Sequence, residues 1–199
     1  MDSKIDFNAD TAGITDPKGF FAAAAHSDIR GKQDGRLDTG IIYSQLPSAA
    51  AGVFTKNAVK AAPVLDCQRI LDTYGAIHGV IVNSGNANAC TGKQGISDSR
   101  EMLKFAESST GSPENSFLVC STGRIGDLLP MNRLRPKIEE VGEAAIRCAN
   151  EGIEFASSIL TSDTKTKTAT ASFVVDGKTV TIGGVAKGAG MIQPDMATM

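Results

Sequence analysis

The chain has 199 residues, with 20 Lys and Arg against 22 Asp and Glu, for a formal net charge of −2. That length buries a sizeable core, the interspersed charges exclude a basic nucleic-acid-binding face, and no apolar run reaches membrane-spanning length. With 21 Gly, 8 Phe, 2 Tyr and no Trp, packing must rely more on close backbone approach than on aromatic anchors.

The opening Met1-Asp2-Ser3-Lys4-Ile5-Asp6 lacks the basic-then-apolar order of a secretory signal and is too acidic for a transit peptide, so a cytoplasmic location is expected. Residues 1–15 read as a loose polar segment and 16–199 as a single domain. A turn-rich excursion, His26 to Asp38, precedes strands expected over Leu37–Ser44 and Ala51–Phe54. Gly79–Asn83 is a short apolar run that ends in a glycine-containing loop, the pattern of a buried strand. Ser97 is expected to open a helix to Ser108, with Asp98 and Glu101 where the helix dipole favours acids. Phe117–Ser121 repeats the buried-strand pattern, with Cys120 as a small buried hydrophobe.

Asn132–Ala149 has the clearest helical period, with Ile138, Val141, Ala145 and Cys148 on one face and Pro136 placed in the first turn. Gly152 reads as a C-cap before a helix over Ile153–Leu160. The period then becomes two: Ala169, Ala171, Phe173 and Val175, then Val180 and Ile182, on either side of Asp176-Gly177. Asp-Gly between alternating runs predicts a hairpin, because a type I′ turn needs two positive φ angles. Strands mixed with helices give an α/β fold class.

Cys67, Cys90, Cys120 and Cys148 form no C-x-x-C pair, and His26 and His78 are the only histidines, which argues against a zinc site and suits a reducing cytosol. Gly183-Gly184-Val185-Ala186-Lys187-Gly188 lacks the spacing of a phosphate loop. Thr198 stands apart. Threonine becomes a useful nucleophile when its own α-amine is free, because that amine titrates near neutrality and takes the hydroxyl proton. A split before Thr198, after the glycine- and proline-containing turn that starts at Lys187, creates that group.

Five segments carry a family resemblance in order: Lys60-Ala61-Ala62-Pro63-Val64, Asn83-Ser84-Gly85-Asn86-Ala87-Asn88-Ala89, Ser121-Thr122-Gly123-Arg124-Ile125-Gly126, Thr161-Ser162-Asp163-Thr164 and Lys187–Met199. Together they resemble the ornithine acetyltransferase (glutamate N-acetyltransferase) family of arginine biosynthesis, from Asp16 to Met199. In that family a longer precursor cuts itself before a threonine, and this sequence resembles the α half. The resemblance implies stacked mixed sheets flanked by helices, an N-terminal-nucleophile-like sandwich completed by a β chain from the same precursor. It further implies a heterotetramer of two α and two β chains.

The activity implied begins with attack of the Thr198 hydroxyl on the Ala197 carbonyl, giving an ester that water hydrolyses. The same hydroxyl then takes acetyl from N-acetylornithine and passes it to glutamate, with no metal or organic cofactor; acetyl-CoA as a further donor stays open. Thr122 and Gly123 match the family's oxyanion donors, and Thr161 and Lys187 match its substrate-binding residues, with Thr164 competing for the Thr161 match. Arg124 stands where the family usually has an apolar residue, which bears on substrate preference. Asn83, Asn86 and Asn88 either orient substrate or satisfy their own turns. A cut after Met199 is an alternative placement. A self-cleaving amidohydrolase or aminopeptidase of related fold, and an inactive relative, are the alternative functions.

Overall fold

The computed structural model describes residues 5–9 and 11–188. The expected cleavage residues Ala197 and Thr198 lie outside the described residues. In chain order the elements are β1 (Asp6–Ala9), a 3₁₀ turn (Gly13–Thr15), β2 (Phe20–Ala25), β3 (Thr39–Ser48), α1 (Ala62–Thr73), β4 (Ile77–Asn86), α2 (Gly92–Thr110), β5 (Phe117–Arg124), α3 (Met131–Ile146), α4 (Gly152–Ser158), β6 (Lys167–Val175) and β7 (Lys178–Ala186).

One sheet has the order β2-β3-β4-β5, antiparallel except for the β4–β5 pair, which is parallel. Parallel neighbours need a crossover, and α2 supplies it. Side chains on a strand alternate between faces, and this divides the core. Ile41 and Ile81 face a cluster with Ile70, Met102, Leu134 and Ile138, so α1, α2 and α3 cover that side. Their strand neighbours Ile42, Val80 and Val82 face Phe155 and Ile159, with Val185 of the second sheet packed alongside. That second sheet, β1-β6-β7, is antiparallel throughout. The α/β class, with mixed sheets flanked by helices, is the one expected.

The hairpin forms as its turn chemistry requires. Val175 pairs with Lys178, leaving Asp176 and Gly177 as the two-residue turn with φ of +49° and +76°. The strands expected around Gly79 and Phe117 are present and run further, to Asn86 and Arg124.

Other expectations need correction. Asp6–Ala9, within the segment expected to be loose, pairs with Ala169–Ser172 of β6, and the alternation of Ile5, Phe7 and Ala9 with Asp6 and Asn8 is the strand signal that expectation passes over. Ala51–Phe54 forms no strand; Val53 is exposed, and no described strand pairs with this stretch. Helix α2 starts at Gly92, so Ser97 lies inside it, and Asp98 accepts a hydrogen bond from Gln94 Nε2 at 2.8 Å instead of sitting in the first turn. Helix α3 starts after Pro130, which puts Pro136 in its interior. It also ends before Cys148, which is exposed at φ +65° and off the apolar face. Gly152 is the first residue of α4, not a C-cap; it lets the helix approach the chain near Ala12, whose carbonyl oxygen would lie 2.3 Å from an added Cβ. Cys120 is exposed because alternation turns it away from the face that buries Phe117 and Val119. The buried thiol is Cys67, bonded to the backbone of Val119.

Strand β2 and helix α1 were not anticipated. Phe20–Ala25 lacks alternation and is rich in alanine, a helix former. Helix α1 did leave a signal: Pro63 in its first turn, with Cys67 and Ile70 buried at helical spacing.

Candidate functional site

The C-terminal ends of β4 and β5 approach more closely than side chains would allow. Gly85 pairs with Gly123, at φ of +105° and +137°. A Cβ on Gly123 would lie 2.2 Å from the Gly85 carbonyl carbon and 2.4 Å from the Asn86 nitrogen. Only glycine fits a backbone crossing of this kind. The register then shifts, so that Asn86 pairs with both Thr122 and Arg124. This bulge presents the Thr122 side chain at the sheet's end.

Three sequence-distant residues converge there. Lys187, just after β7, donates from Nζ to Thr122 Oγ1 at 2.8 Å and to Thr161 Oγ1 at 3.2 Å. Thr161 follows α4, and its backbone carbonyl accepts from Arg36 Nη1 and Nη2 at 3.4 and 3.3 Å. An ammonium has donors only, so both threonine hydroxyls accept from it and aim their own protons elsewhere. The nearby charge also favours any negative charge that develops on an oxygen held here.

Asp163 fastens this arrangement. Its side chain is fully buried, and Oδ1 accepts from Lys167 Nζ at 2.6 Å and from the Gly188 N–H at 2.7 Å. Oδ2 faces the Thr161 N–H at 3.4 Å. Burial works against the charge, but Lys167 and the two backbone donors outweigh it and hold the carboxyl down to about 2. One carboxylate thus links the backbone of Thr161 to the backbone beside Lys187. The sequence reading did not single out Asp163 as a site residue. Its partners Lys167 and the Gly188 N–H are brought to it by the hairpin, so no local pattern announces it.

Thr122, Gly123, Thr161 and Lys187 therefore come together, whereas Thr164 is exposed and makes no contact with Lys187 among the described hydrogen bonds. Beside them runs a cleft of about 360 Å³ lined by Arg30, Gly85, Gly123, Arg124, Leu160 and Thr161. A larger hollow over α2, about 540 Å³, gathers Ser97, Arg100, Glu101, Lys104 and Ser108, but Glu101 is engaged by Arg135. Among the described residues no group of His, Cys, Asp and Glu is arranged to hold a metal ion.

The asparagines serve the backbone. Asn83 Nδ2 donates to the Asn86 carbonyl at 2.9 Å, and its Oδ1 accepts from Ser121 Oγ at 2.6 Å. Asn86 Nδ2 reaches the Asp127 carbonyl at 3.0 Å, and its Oδ1 takes the Asn88 N–H at 2.7 Å. Asn88 Nδ2 donates to the Gly95 carbonyl at 2.8 Å, and its Oδ1 accepts from Thr91 Oγ1 at 2.7 Å. All three are buried, so they shape the loop behind Gly85 and Gly123.

Comparison with known proteins gives a consistent result. A family model described as the ArgJ family matches residues 21–199. The arginine biosynthesis bifunctional protein ArgJ of Symbiobacterium thermophilum is 46% identical over 187 residues, covering 94% of this chain and 46% of that protein. Its counterpart in Thermotoga neapolitana is 45% identical over 184 residues, covering 92% of this chain and 45% of that protein. The chain spans about half the length of the curated relatives it matches. The crystal structure of the Bacillus halodurans arginine biosynthesis bifunctional protein argJ superposes with a TM-score of 0.85 at 37% identity, covering 96% of this chain and 98% of that one. Ornithine acetyltransferase from Mycobacterium tuberculosis, solved in complex with ornithine, gives 0.84 at 38% identity with the same coverage.

Proposed function

The chain belongs to the ArgJ family, and from that premise we propose that it is the α chain of an acetyltransferase that carries acetyl from N-acetylornithine to glutamate. The observation that carries this reading is the single ammonium of Lys187 holding both Thr122 Oγ1 and Thr161 Oγ1 at the end of the parallel strand pair. Thr122 and the adjacent Gly123 N–H are the donors for a tetrahedral oxyanion. Lys187 and Thr161 hold the substrate's carboxylate or amide oxygen. Removing one such oxyanion donor typically costs about 3 kcal/mol of barrier.

The nucleophile in this reading is Thr198. Its hydroxyl attacks the Ala197 carbonyl, the C–N bond breaks as the ester forms and frees the threonine amine, and water then hydrolyses the ester to release the Ala197 carboxylate and restore the hydroxyl. That amine then takes the hydroxyl proton as acetyl leaves N-acetylornithine for Thr198 Oγ1 and ornithine departs. The amine of glutamate attacks the acetyl-threonine, giving N-acetylglutamate and restoring the enzyme. Water must stay away from the ester between the two half-reactions, which calls for a closed site. The reading therefore includes a β chain from the same precursor, a heterotetramer of two α and two β chains, no metal or organic cofactor, and a cytoplasmic location. No described helix is long and apolar enough to cross a membrane.

The test is intact mass and product release from the full-length precursor. Two chains, with about one equivalent of ornithine released from N-acetylornithine alone and continued release only when glutamate is added, support the reading. Cleavage accompanied by peptide or amide hydrolysis without acetyl transfer supports a related amidohydrolase or aminopeptidase. An uncut, inert chain supports an inactive relative.

A further inference from the structure

Two guanidinium groups stand at the cleft beside Thr161, and the chemistry above uses neither. Arg30 arrives from the turn-rich excursion before β3, and its stem crosses Gly85, where an added Cβ would sit 2.8 Å from Arg30 Cγ. Arg124 closes β5, two positions after Thr122. Both line the same cleft as Gly123 and Thr161. Among the described residues that wall carries two cations and no carboxylate. The cleft is therefore suited to an anion, and Lys187 adds a third positive charge at its Thr161 side.

Each arginine has donors to spare. Arg30 Nη2 meets Asp34 at 3.0 Å, and Arg124 Nε meets the exposed Asp127 at only 3.4 Å. A guanidinium has five N–H donors in a planar fork that matches a carboxylate, so one such contact leaves most of the fork open. Arg124 is 61% exposed and its ion pair is solvated, so little holds it away from a ligand.

The two proposed substrates share an α-carboxylate and differ at the other end. N-acetylornithine carries an ammonium there; glutamate carries a second carboxylate. One cation, Lys187, is sufficient for the shared group. Two further cations are of use only to the substrate with a second negative charge, and they repel the substrate with a positive one. We infer that Arg30 and Arg124 receive the side-chain carboxylate of the acceptor, with Arg124 adding in this chain a charge that the family's usual apolar residue lacks, and so strengthen the preference for an acidic over a neutral amino acid in the second half-reaction. The same charges favour the departure of ornithine once its acetyl group has been given up. This inference rests on the acetyl-transfer reading.

The test compares glutamate with glutamine, its uncharged isostere, as acceptor in the processed two-chain enzyme. Arg124→Leu is expected to lower kcat/KM for glutamate by about tenfold to a hundredfold, the range for losing a hydrogen bond to a charged group. The loss should appear as a raised KM for glutamate, with glutamine little affected and the KM for N-acetylornithine not raised. Arg124→Lys should restore part of the glutamate preference, and Arg30→Gln should lower it independently. Equal losses for glutamate and glutamine, or an unchanged ratio and an unchanged KM for glutamate, overturn the assignment while leaving acetyl transfer intact. A wild-type enzyme that releases no ornithine overturns both readings.

Discussion

Lys187 Nζ lies 2.8 Å from Thr122 Oγ1, joining residues 65 positions apart across the ends of the two sheets. The ammonium turns the Thr122 lone pair toward itself, so the hydroxyl proton is free to point at a reacting oxygen. Both partners lose their purpose when separated: the threonine loses its orientation, and the lysine loses the acceptor that places it.

Thr122→Val keeps the β-branched shape and removes the donor. Strand β5 should be undisturbed, since valine suits a strand at least as well as threonine. Self-cleavage and acetyl transfer should both slow by roughly a hundredfold or more if the hydroxyl supports the oxyanion in each. Single-turnover rates of the two reactions provide the check, and unchanged turnover in a folded variant would make Thr122 merely a strand-end residue.

Lys187→Met retains the length of the side chain and removes its charge. If the charge mainly holds a group the two substrates share, the expected outcome is a rise of about tenfold in the KM for both substrates, with a smaller fall in kcat. Steady-state kinetics decide the matter; unaltered KM values would remove Lys187 from substrate binding.

Asp163 gives the site an acid-sensitive anchor. Its carboxyl falls from an ordinary 3.8 to about 2 in the folded chain. A depressed carboxylate pKa contributes stability that is fully present above the unfolded value and is lost as pH falls through the folded one. The contribution should therefore be complete above about pH 4 and fade toward pH 2. Asp163→Asn cannot ionise, so its melting temperature should be lower near neutrality, and the gap from wild type should narrow across that window. Thermal melts of both proteins between pH 2 and pH 7 test this, and a gap that stays constant with pH would show that the charge is immaterial.

Gly123→Ala places a methyl group 2.2 Å from the Gly85 carbonyl carbon at φ +137°. Backbone strain of about 1–3 kcal/mol adds to the steric overlap, so Tm should fall by roughly 5–10 °C in a chain of this size. Because the strand pair must part, the variant should also lose activity beyond what its residual folded fraction explains. A melt and an assay at low temperature separate the two effects. An unshifted Tm would mean that the β4–β5 crossing relaxes easily.

What could be read from the sequence follows the range of the forces involved. Asp176-Gly177 dictates its own turn through two positive φ angles, and Gly79–Asn83 and Phe117–Ser121 declare strands through short apolar runs. These are local signals. Asp163 was missed as a site residue because its role needs Lys167 and the Gly188 N–H brought to it by the hairpin. Cys120 misled because an apolar run does not say which face of a strand will find a neighbour. Pro136 misled similarly, since its fixed φ suits a helix's first turn and yet here sits inside one. Thr122, Thr161 and Lys187 were singled out through family resemblance; no spacing within the chain encodes their convergence.

Thr198→Ala tests the placement of the nucleophile. Alanine keeps the backbone and a small side chain but removes the proposed attacking oxygen, so in this reading the Ala197 carbonyl has no nucleophile. The precursor should stay in one piece, and no acetyl-enzyme should form. Thr198→Ser separates the hydroxyl from the methyl group. Serine retains an oxygen that can attack, but without the γ-methyl its χ1 is less restricted, so fewer molecules hold the oxygen in line with the carbonyl. Slow cleavage and reduced transfer are expected. Intact mass followed by peptide mapping after incubation with N-acetylornithine reads both: the acetyl group should be found on the residue that opens the second chain. If Thr198→Ala still splits and still transfers acetyl, the cut falls after Met199, and the nucleophile is supplied by the residue that follows it.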